Sequence, residues 1–554
     1  MTNKELANLI YPDINKDISY YENKYPLRKL KEGAIVSRFA PSPTGFVHMG
    51  SLLTTFIAQK IPKDTDGIFY IRIEDTDQKR SLENGIQGII DDLKSFDISY
   101  DEGVISETES KGEYGPYIQS KRKEIYQTFV KYLIEKDLAY PCFCSEETLD
   151  NMRKQQEKQK DRLGYYGKWA ICRSLSKEEC AKRIINGDNY IIRLKSPGNF
   201  NKKIVVHDLV RGSIEFPEND LDVVLIKNDG LPIYHLAHIV DDYLMRTTHI
   251  LRAEEWLSST PIHLQLWQTF DFKPPKYAHL GLVMKIEDSG IRRKLSKRKD
   301  PEAAVSYYHE KGYPIYAIKQ YLLTLANSNF EGWMDDNPDK LIEEFKIDFK
   351  KISKSGSLFD LEKIINISKN YISKLSALEV YNSLLTWALK FNSNYADLLI
   401  KYKDYSIAIL NIEREGKKPR KDFACYSEIM DQIFYMYDEL FLAEKYEWQA
   451  ITNKNEIKNI LDIYLIKYYD ENDDKETWFK KIKDLCDELG YASNMKDYKL
   501  NPDKYKGNIT DITTVIRVAL TTKSMTPDLY EIMQLLKKDC IENRVSLAIK
   551  KSNY

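Results

Sequence analysis

The sequence predicts an α/β protein in which a doubly wound parallel sheet carries an α+β insertion and is followed by an all-α region. In the first half of the chain, short β-branched and aromatic runs such as 68–73 alternate with helical patterns, which favours a parallel sheet. From about Gly115 to Leu221 the rhythm changes to helical stretches followed by short strand-like runs. After about Arg298 the patterns are almost entirely those of amphipathic helices.

The predicted strands are short runs rich in Val, Ile, Phe and Tyr. For the parallel sheet they are residues 34–39, 68–73, 222–226, 248–252 and 280–284. For the insertion they are residues 190–194, 203–206 and 213–216.

Length and composition restrict the class of protein before any motif is considered. A chain of 554 residues is too long for one hydrophobic core and should form several domains. Its 83 Lys and Arg nearly balance 84 Asp and Glu, so a nucleic-acid partner would have to meet a local basic surface. The sequence has no apolar run of about 18 residues, which argues against a membrane-spanning helix. A charged N-terminus and seven scattered cysteines predict a cytoplasmic location.

The most informative stretch is Ser37–Ser51, which is typical of a strand, a proline-containing turn and the start of an apolar helix. A helix N-terminus after the first strand of such a sheet presents unpaired N–H groups and a positive dipole end to an anion. Gly45 and Gly50 would let the backbone approach a ligand, and His48 and Thr44 add hydrogen-bond donors. A lone His-x-Gly is more often an ordinary turn, so the inference depends on the whole stretch.

That stretch resembles the His-Ile-Gly-His signature of class I aminoacyl-tRNA synthetases, in the form Arg-Phe-Ala-Pro-Ser-Pro-Thr-Gly that bacterial glutamyl enzymes carry. Glutaminyl relatives usually have Pro-Glu-Pro-Asn-Gly at this place. Ser51 stands where the second signature His would be, a departure that glutamyl members commonly share. The resemblance implies a Rossmann-like catalytic domain, ATP as a substrate with Mg²⁺, and ATP contacts from Gly45, His48, Gly50 and Ser51.

The family's second phosphate-binding element is a mobile loop with the pattern Lys-Met-Ser-Lys-Ser, whose lysines neutralise the phosphates of ATP. The chain offers two candidates, Lys294–Arg298 and Lys351–Ser355, and the second is closer in its letters. The context favours the first, because it follows the predicted strand 280–284 and open α/β sheets bind ligands at strand carboxyl ends, whereas the second lies among helical segments. The predicted catalytic residues are Thr44, His48, Gly50, Lys294 and Lys297, and Ser296 and Arg298 join the lysines in binding ATP.

A pocket for glutamate needs arginines for the carboxylates, a hydroxyl donor and one acid for the ammonium group. By resemblance to glutamyl synthetases, Arg38 and Arg252 bind the carboxylates and Glu74 receives the ammonium group. Tyr234 matches the hydroxyl donor, and His238 stands where several relatives have an Asn that contacts the substrate. Any one of these alone would more often be a structural polar residue. The whole predicted set is Arg38, Ala40, Ser42, Glu74, Tyr234, His238 and Arg252.

Three cysteines of the insertion lie where some glutamyl synthetases have a zinc knuckle. A structural zinc site takes four ligands, and the usual fourth, a His two residues after the third Cys, is Ser174 here. Cys180 or Tyr166 could replace it, but buried thiols without zinc are the favoured interpretation. The three cysteines are Cys142, Cys144 and Cys172.

The resemblance covers nearly the whole chain and reappears in residues 509–521 and 528–533. It implies an α-helical anticodon-binding tail, unlike the paired β-barrels of glutaminyl enzymes. The implied domains are an N-terminal extension (1–32), a catalytic domain (33–114 and 222–290), an inserted acceptor-end-binding domain (115–221), a phosphate-loop and stem-contact domain (291–370) and the anticodon-binding domain (371–554).

The implied reaction joins L-glutamate to tRNA(Glu) through a glutamyl-adenylate, with release of diphosphate and AMP, and the family implies a monomer. A non-discriminating enzyme that also charges tRNA(Gln) stays open, because the anticodon contacts are not assigned to residues. A nucleotidylyltransferase acting on a small acid would share the His-x-Gly turn but would give the helical tail no purpose. A silent tRNA-binding module is disfavoured by the two phosphate-binding elements.

Overall fold

The computed structural model describes residues 1–552 except Phe46, Ser81, Lys297, Lys417, Glu444 and Ala450. This chain divides into two compact units. The first is Met1–Tyr307 with Lys319–Asp360, and the second is Tyr308–Ile318 with the chain from Leu361 onward. Within the described residues, every helix is too short or too polar to cross a membrane. The division into five domains remains a prediction.

The strands are, in chain order, β1 Val36–Phe39, β2 Ile68–Ile71, β3 Glu102–Val104, β4 Ser110–Lys111, β5 Ala139–Cys142, β6 Ile191–Leu194, β7 Lys203–Asp208, β8 Gly212–Pro217, β9 Val224–Ile226, β10 His249–Ala253, β11 Lys276–Leu280, β12 Val283–Ile286, β13 Arg292–Lys294 and β14 Ser357–Leu358. The helices up to residue 336 are α1 Asn3–Ile10, α2 Ile18–Lys24, α3 Met49–Lys63, α4 Gly85–Ser95, α5 Lys123–Glu135, α6 Glu146–Gln159, α7 Lys177–Ile185, α8 Tyr234–Leu244, α9 Thr260–Thr269, α10 Val305–Lys311, α11 Ile315–Ala326 and α12 Phe330–Asp336. The later helices are α13 Leu361–Lys374, α14 Ala377–Phe391, α15 Ser393–Lys401, α16 Lys403–Asn411, α17 Ile429–Ile433, α18 Lys454–Ile463, α19 Lys475–Leu489, α20 Met495–Leu500, α21 Ile509–Thr521 and α22 Leu529–Ser552.

Parallel strands form the centre of the first unit. β1 pairs with β2, β2 with β3, and β10 with β11, all in parallel. Thr248, directly before β10, links the two groups: its backbone N–H donates to the carbonyl of Val36 (3.0 Å), and its hydroxyl accepts from the N–H of Val36 (2.8 Å). The predicted α/β class, with an all-α region after it, is confirmed.

The strand pairing differs from the prediction at three places. β9, expected in the parallel sheet, pairs antiparallel with β6 in a sheet of order β5-β6-β9. The β7–β8 hairpin, expected in the insertion, joins β11 and β10 instead, because Asp208 pairs in parallel with Tyr277. Residues 280–284 are not one strand: β11 ends at Leu280 and β12 begins at Val283. An apolar run specifies that a strand forms, but its partner is chosen by tertiary packing.

Helix α3 fixes the position of the turn that follows β1. Its side chains Leu52, Leu53, Phe56 and Ile57 are buried, and the helix packs on β1, β2 and β10. Each fully buried side chain of this kind contributes about 1.5–3 kcal/mol. The N-terminus of α3 is therefore held at the edge of the sheet where β1 ends.

Among the described residues of the second unit, the regular elements are all helices. Side chains from successive helices, including Leu384, Leu399, Ile460 and Ile512, are fully buried in one shared core. Helix α22 changes direction at Lys537, whose backbone has φ 65° and ψ 164°.

Candidate active site

His48 caps the N-terminus of α3, and Ser51 forms a reciprocal pair of hydrogen bonds with it. The backbone N–H of Ser51 donates to Nδ1 of His48 (3.1 Å), and the backbone N–H of His48 donates to Oγ of Ser51 (3.0 Å). Because Nδ1 is an acceptor, the proton of the neutral imidazole lies on Nε2, where it can be donated. The residue that replaces the second signature histidine therefore orients the first.

A side chain at position 50 would crowd that imidazole. A Cβ added to Gly50 would lie 3.1 Å from Cε1 and 3.2 Å from Nδ1 of His48, closer than nine in ten real Cβ contacts, so the ring would have to shift slightly. Gly45 is different, since a Cβ there would meet no described atom within 4 Å. Packing against the His48 ring thus disfavours a side chain at position 50. No described atom opposes a side chain at position 45.

The lysine motif lies on a β-hairpin. β12 pairs antiparallel with β13, and Lys294 is the last residue of β13. Asp300, 1% exposed, fastens the loop, since it accepts from both terminal nitrogens of Arg293 (2.5 and 2.7 Å) and from the backbone N–H of Ser296 (3.0 Å). Hydrogen bonds from Arg293 lower the pKa of Asp300, which keeps it charged. The predicted catalytic residue Lys297 lies outside the described residues.

The turn at His48 and the lysine hairpin open onto one cavity of about 230 Å³. An antiparallel bridge between His48 and Ala304 also joins the turn to the chain that follows the hairpin. The two predicted phosphate-binding elements therefore share a cleft. The cavity is lined by Arg38, Phe39, Ala40, His48, Met49, Gly50, Ser51, Thr54, Glu74, Tyr234, Leu251, Arg252, Ala253, Glu255, Trp256, Gly281, Leu282, Val283, Lys294, Leu295 and Ala303.

A buried charge network supports one wall of the cavity. Arg38 donates from Nε and Nη2 to the two carboxylate oxygens of Asp242 (3.2 and 3.4 Å) and from Nη1 to the carbonyl of Leu251 (3.3 Å). Arg72 donates to Asp242 (2.8 Å) and to Oε1 of Glu74 (3.0 Å). Burial disfavours charge on Asp242, but the two arginines outweigh burial and hold its pKa well below the ordinary value. Arg38 and Glu74 therefore offer opposite charges to a ligand.

Arg252 lines the cavity. Each of its two terminal nitrogens donates one hydrogen bond to a residue of the cavity lining and one to a fully buried residue. Nη1 donates to the hydroxyl of Tyr234 (3.0 Å) and to Nδ1 of His263 (3.1 Å). Nη2 donates to the carbonyl of Trp256 (3.3 Å) and to Oγ1 of Thr260 (3.0 Å). Tyr234 and Trp256 line the cavity, whereas His263 and Thr260 are fully buried. One N–H of each terminal nitrogen, the cavity-side N–H, thus donates to a residue that lines the cavity.

His238 is not among the described lining residues of the cavity, and its contact with the substrate remains a prediction. The side chain is fully buried, with Nδ1 2.7 Å from Asp242 and Nε2 3.3 Å from the hydroxyl of Tyr277. Its ring stacks behind Tyr234, with 5.6 Å between the ring centroids. Burial lowers the pKa of His238 to about 3, so the ring is neutral. It supports Tyr234 from behind.

Other predicted residues lie outside the described cavity lining. Ser42 and Thr44 are exposed on the turn before His48, and Gly45 is half-buried there. Ser296 and Arg298 follow Leu295, the last lining residue of the hairpin. Roles for these residues at ATP or glutamate remain predictions. The predicted residues that do line the cavity are Arg38, Ala40, His48, Gly50, Ser51, Glu74, Tyr234, Arg252 and Lys294.

The second lysine motif, Lys351–Ser355, lies closer to the sheet than the sequence predicts. β14, two residues beyond it, pairs in parallel with β12, and a Cβ on Gly281 would lie 2.4 Å from the backbone nitrogen of Gly356. β14 therefore lies beside β12, on the edge opposite β13, and the second lysine motif directly precedes it. Lys354 is exposed and is not among the described lining residues, whereas Lys294 is.

Three thiols converge in the first unit. The sulfur atoms of Cys142, Cys144 and Cys172 all lie within 4.8 Å of one another. The hydroxyl of Tyr165 is 3.5 Å from the Cys142 sulfur and 3.3 Å from the Cys144 sulfur. Hydrogen bonds from Cys144 and Cys172 lower the pKa of the Cys142 thiol. Three thiols supply three of the four ligands of a tetrahedral zinc site. The Tyr165 oxygen would be the fourth only after losing its proton, which burial disfavours by raising the pKa of Tyr165.

Neither proposed fourth ligand belongs to this group in the described structure. The hydroxyl of Tyr166 donates to the carbonyl of Arg162 (2.9 Å), and Cys180 lies outside the cluster. The neighbouring Tyr165 takes the place next to the thiols. The sequence could not distinguish two adjacent tyrosines, because only the backbone path decides which one turns inward.

Sequence reasoning missed the partners that hold the binding residues. Asp242 pairs with Arg38, Glu255 with Lys294, and His263 with Arg252. The adjacent acids Asp241 and Asp242 lie on the buried face of α8. Because buried carboxylates require charged or hydrogen-bonding partners, these two acids in an apolar helix could have indicated a buried ion pair with an arginine.

A family model described as "tRNA synthetases class I (E and Q), catalytic domain" matches residues 34–365. A glutamate–tRNA ligase from Clostridium perfringens is 48% identical over 547 residues, which cover 98% of this chain and 99% of the relative. A glutamate–tRNA ligase from Acetivibrio thermocellus is 46% identical over 547 residues, with 98% and 99% covered.

Solved structures of glutamate–tRNA ligases are also similar to this chain. A glutamate–tRNA ligase from Elizabethkingia meningosepticum, solved in complex with its amino acid, has a TM-score of 0.75 and 25% identity, covering 93% of this chain and 99% of its own. The glutamate–tRNA synthetase of Elizabethkingia anophelis has a TM-score of 0.73, also at 25% identity, with 93% and 99% covered.

Proposed function

Since this chain belongs to the glutamate–tRNA ligase family of class I tRNA synthetases, we propose that its central cavity activates glutamate with ATP and transfers it to tRNA. The observation that carries the proposal is one cavity lined by His48, Lys294, Arg38, Glu74 and Arg252. These side chains supply donors for phosphates, positive charge for carboxylates and one acid for an ammonium group.

ATP takes the part of the cavity next to the N-terminus of α3. Met49, Gly50 and Ser51 line it there, so the positive end of the helix dipole faces the phosphates. His48 donates from Nε2, and Lys294 adds a positive charge from the hairpin. Mg²⁺ accompanies the phosphates of ATP.

Glutamate takes the part of the cavity between Arg38 and Arg252. The two cavity-side N–H groups of Arg252 match the two oxygens of a carboxylate, which would replace the hydroxyl of Tyr234 and the carbonyl of Trp256 as acceptors. Glu74 receives the ammonium group. Burial raises the pKa of Glu74, and a bound ammonium ion would favour the charged form of this carboxylate.

The reaction needs positioning and charge stabilisation rather than a protein nucleophile. A carboxylate oxygen of glutamate attacks the α-phosphorus of ATP, and the bond to diphosphate breaks. The ribose hydroxyl of the tRNA then attacks the carbonyl carbon of the adenylate, and AMP leaves. His48 and Lys294 stabilise the negative charge that grows on the phosphates in the first step.

The partner is tRNA(Glu), the chain acts as a monomer, and the reaction takes place in the cytoplasm. Aminoacylation assays with purified tRNA(Glu) and tRNA(Gln) test this function directly. Charging of tRNA(Glu) with glutamate supports the proposal, and additional charging of tRNA(Gln) would identify a non-discriminating enzyme. AMP transfer to a small acid without any tRNA charging would contradict it.

A further inference from the structure

The guanidinium group of Arg252 forms a further buried hydrogen bond through Nε, in addition to those of its two terminal nitrogens. Its N–H donates to Nε2 of His279 (2.8 Å), and Nδ1 of His279 lies 2.6 Å from Oδ2 of Asp208. His279 is fully buried, and Asp208 and Arg252 are each 5% exposed. These three side chains form a continuous line from β7 through β11 to β10.

The direction of each hydrogen bond in this line is fixed by chemistry. An arginine Nε–H can only donate, so Nε2 of His279 is the acceptor. The single proton of the neutral ring is then on Nδ1 and is donated to Asp208. The carboxylate thus selects the tautomer of His279 that presents a lone pair to Arg252.

Asp208 is itself held rigidly. Its Oδ1 accepts from the backbone N–H groups of Val210 and Arg211, both at 2.9 Å, and its Oδ2 accepts from the backbone N–H of His279 (3.0 Å). The first two bonds belong to the turn between β7 and β8, and the third crosses to β11. The carboxylate of Asp208, the first member of this line, is therefore held in one orientation by the backbone of the sheet.

We propose that Asp208 and His279 are positioning residues that set the rotation of the Arg252 guanidinium and thereby its affinity for a carboxylate of glutamate. This rests on the proposed role of Arg252 in binding glutamate. A planar guanidinium binds a carboxylate through two parallel N–H groups only if its plane is correctly rotated. The bond at Nε, together with the bonds to His263 and Thr260, leaves one N–H of each terminal nitrogen on the cavity side.

Two amide substitutions at one position separate positioning from simple packing. His279→Gln places an amide oxygen near the site of Nε2, where it can accept from Arg252. His279→Asn is shorter, so its amide reaches Asp208 but gives Arg252 no acceptor. Asp208→Asn keeps an oxygen for Val210 and Arg211 but turns an NH₂ group towards His279, which favours the tautomer with a proton facing Arg252. His207→Asn, at the exposed neighbour of Asp208, is the matched control.

The KM values for glutamate and ATP are measured by ATP–diphosphate exchange in the presence of tRNA(Glu), and folding is checked by thermal melting. For His279→Asn and Asp208→Asn, the KM for glutamate should rise about ten- to a hundredfold, the effect of losing a hydrogen bond to a charged group, while the KM for ATP changes less than about twofold. His279→Gln and His207→Asn should stay close to the parent in both.

Arg252→Ala distinguishes failure of this inference from failure of the proposed function. If Arg252→Ala leaves the KM for glutamate normal, Arg252 does not bind glutamate and the proposed site is wrong. If Arg252→Ala raises it but His279→Asn and Asp208→Asn do not, the positioning role is overturned. Equal increases in the KM values for glutamate and ATP would indicate a purely structural role and would also overturn the positioning role. The same conclusion would follow if His279→Gln and His279→Asn raised the KM for glutamate equally.

Discussion

The ammonium group of Lys294 lies 2.6 Å from Oε1 of Glu255 at the edge of the cavity. The side chains are 45% and 50% exposed, so the ion pair is worth at most about 1 kcal/mol. Lys294 is therefore paired with an acid through a weak contact that is easily broken. The phosphates of ATP would compete with Glu255 for this charge.

Replacing Glu255 by Gln should lower the KM for ATP by up to about fivefold, because Lys294 no longer has to leave a carboxylate. The measurement is ATP–diphosphate exchange at varied ATP. Glu287→Gln, at an acid of the same hairpin that pairs with Arg293, should leave the KM for ATP unchanged. An increased KM in Glu255→Gln would mean that Glu255 itself contributes to ATP binding.

The two lysine motifs should differ sharply in their effect on activation. Lys297→Ala should nearly abolish ATP–diphosphate exchange, because the transition state loses a positive charge next to its phosphates, whereas Lys354→Ala should retain it. Removal of one such group typically costs about a hundred- to a thousandfold in kcat. The opposite result would assign the phosphate loop to Lys351–Ser355.

Arg38→Ala should raise the KM for glutamate strongly or abolish activation, because the cavity loses a positive charge. The same change leaves Asp242 paired with the charged Arg72 and in contact with the neutral ring of His238, so we expect the free energy of unfolding to fall by at most about 3 kcal/mol. Steady-state kinetics and denaturant unfolding measure the two effects. Normal glutamate kinetics in a folded Arg38→Ala protein would remove Arg38 from the glutamate site.

Purified protein should contain about one zinc ion per chain, since three thiols lie within 4.8 Å of one another and the neighbouring Tyr165 oxygen could complete the site once zinc displaces its proton. This reverses the preference for thiols without zinc that the sequence alone favours. Atomic absorption is the measurement: Cys144→Ser should lose the metal, and Cys180→Ser, outside the cluster, should keep it. Protein that remains metal-free when it is produced with zinc would contradict the prediction.

Acid should destabilise the first unit partly through His238. Burial lowers the pKa of His238 from 6.5 to about 3, so the unfolded chain binds a proton in this range that the folded chain does not. The stabilisation is therefore present above pH 6.5 and is lost as the pH falls towards 3, at up to about 1.4 kcal/mol per pH unit. His238→Asn should flatten that dependence in denaturant titrations at several pH values. An unchanged slope would show that His238 does not take part.

Much of the fold and the local motifs follows from the sequence. The strand at 36–39, the turn at His48 and the apolar start of α3 are consecutive in the chain, so their geometry depends on local propensity, capping and helix periodicity. The all-α region after Arg298 is predicted for the same reason. Individual strand partners, such as that of β9, are not local properties, and there the prediction was wrong.

What the sequence by itself determined is which residues carry charge, hydrogen-bond donors and thiols, and in which local element each of them lies. Only the tertiary structure decided their partners: Asp242 for Arg38, Tyr165 rather than Tyr166 for the thiols, and Asp208 and His279 for Arg252. The last set exists because β7 pairs with β11, a contact between segments about 70 residues apart that no local pattern specifies. Such pairings are selected by burial of the whole sheet, and the orientation of each binding side chain is a consequence of that burial.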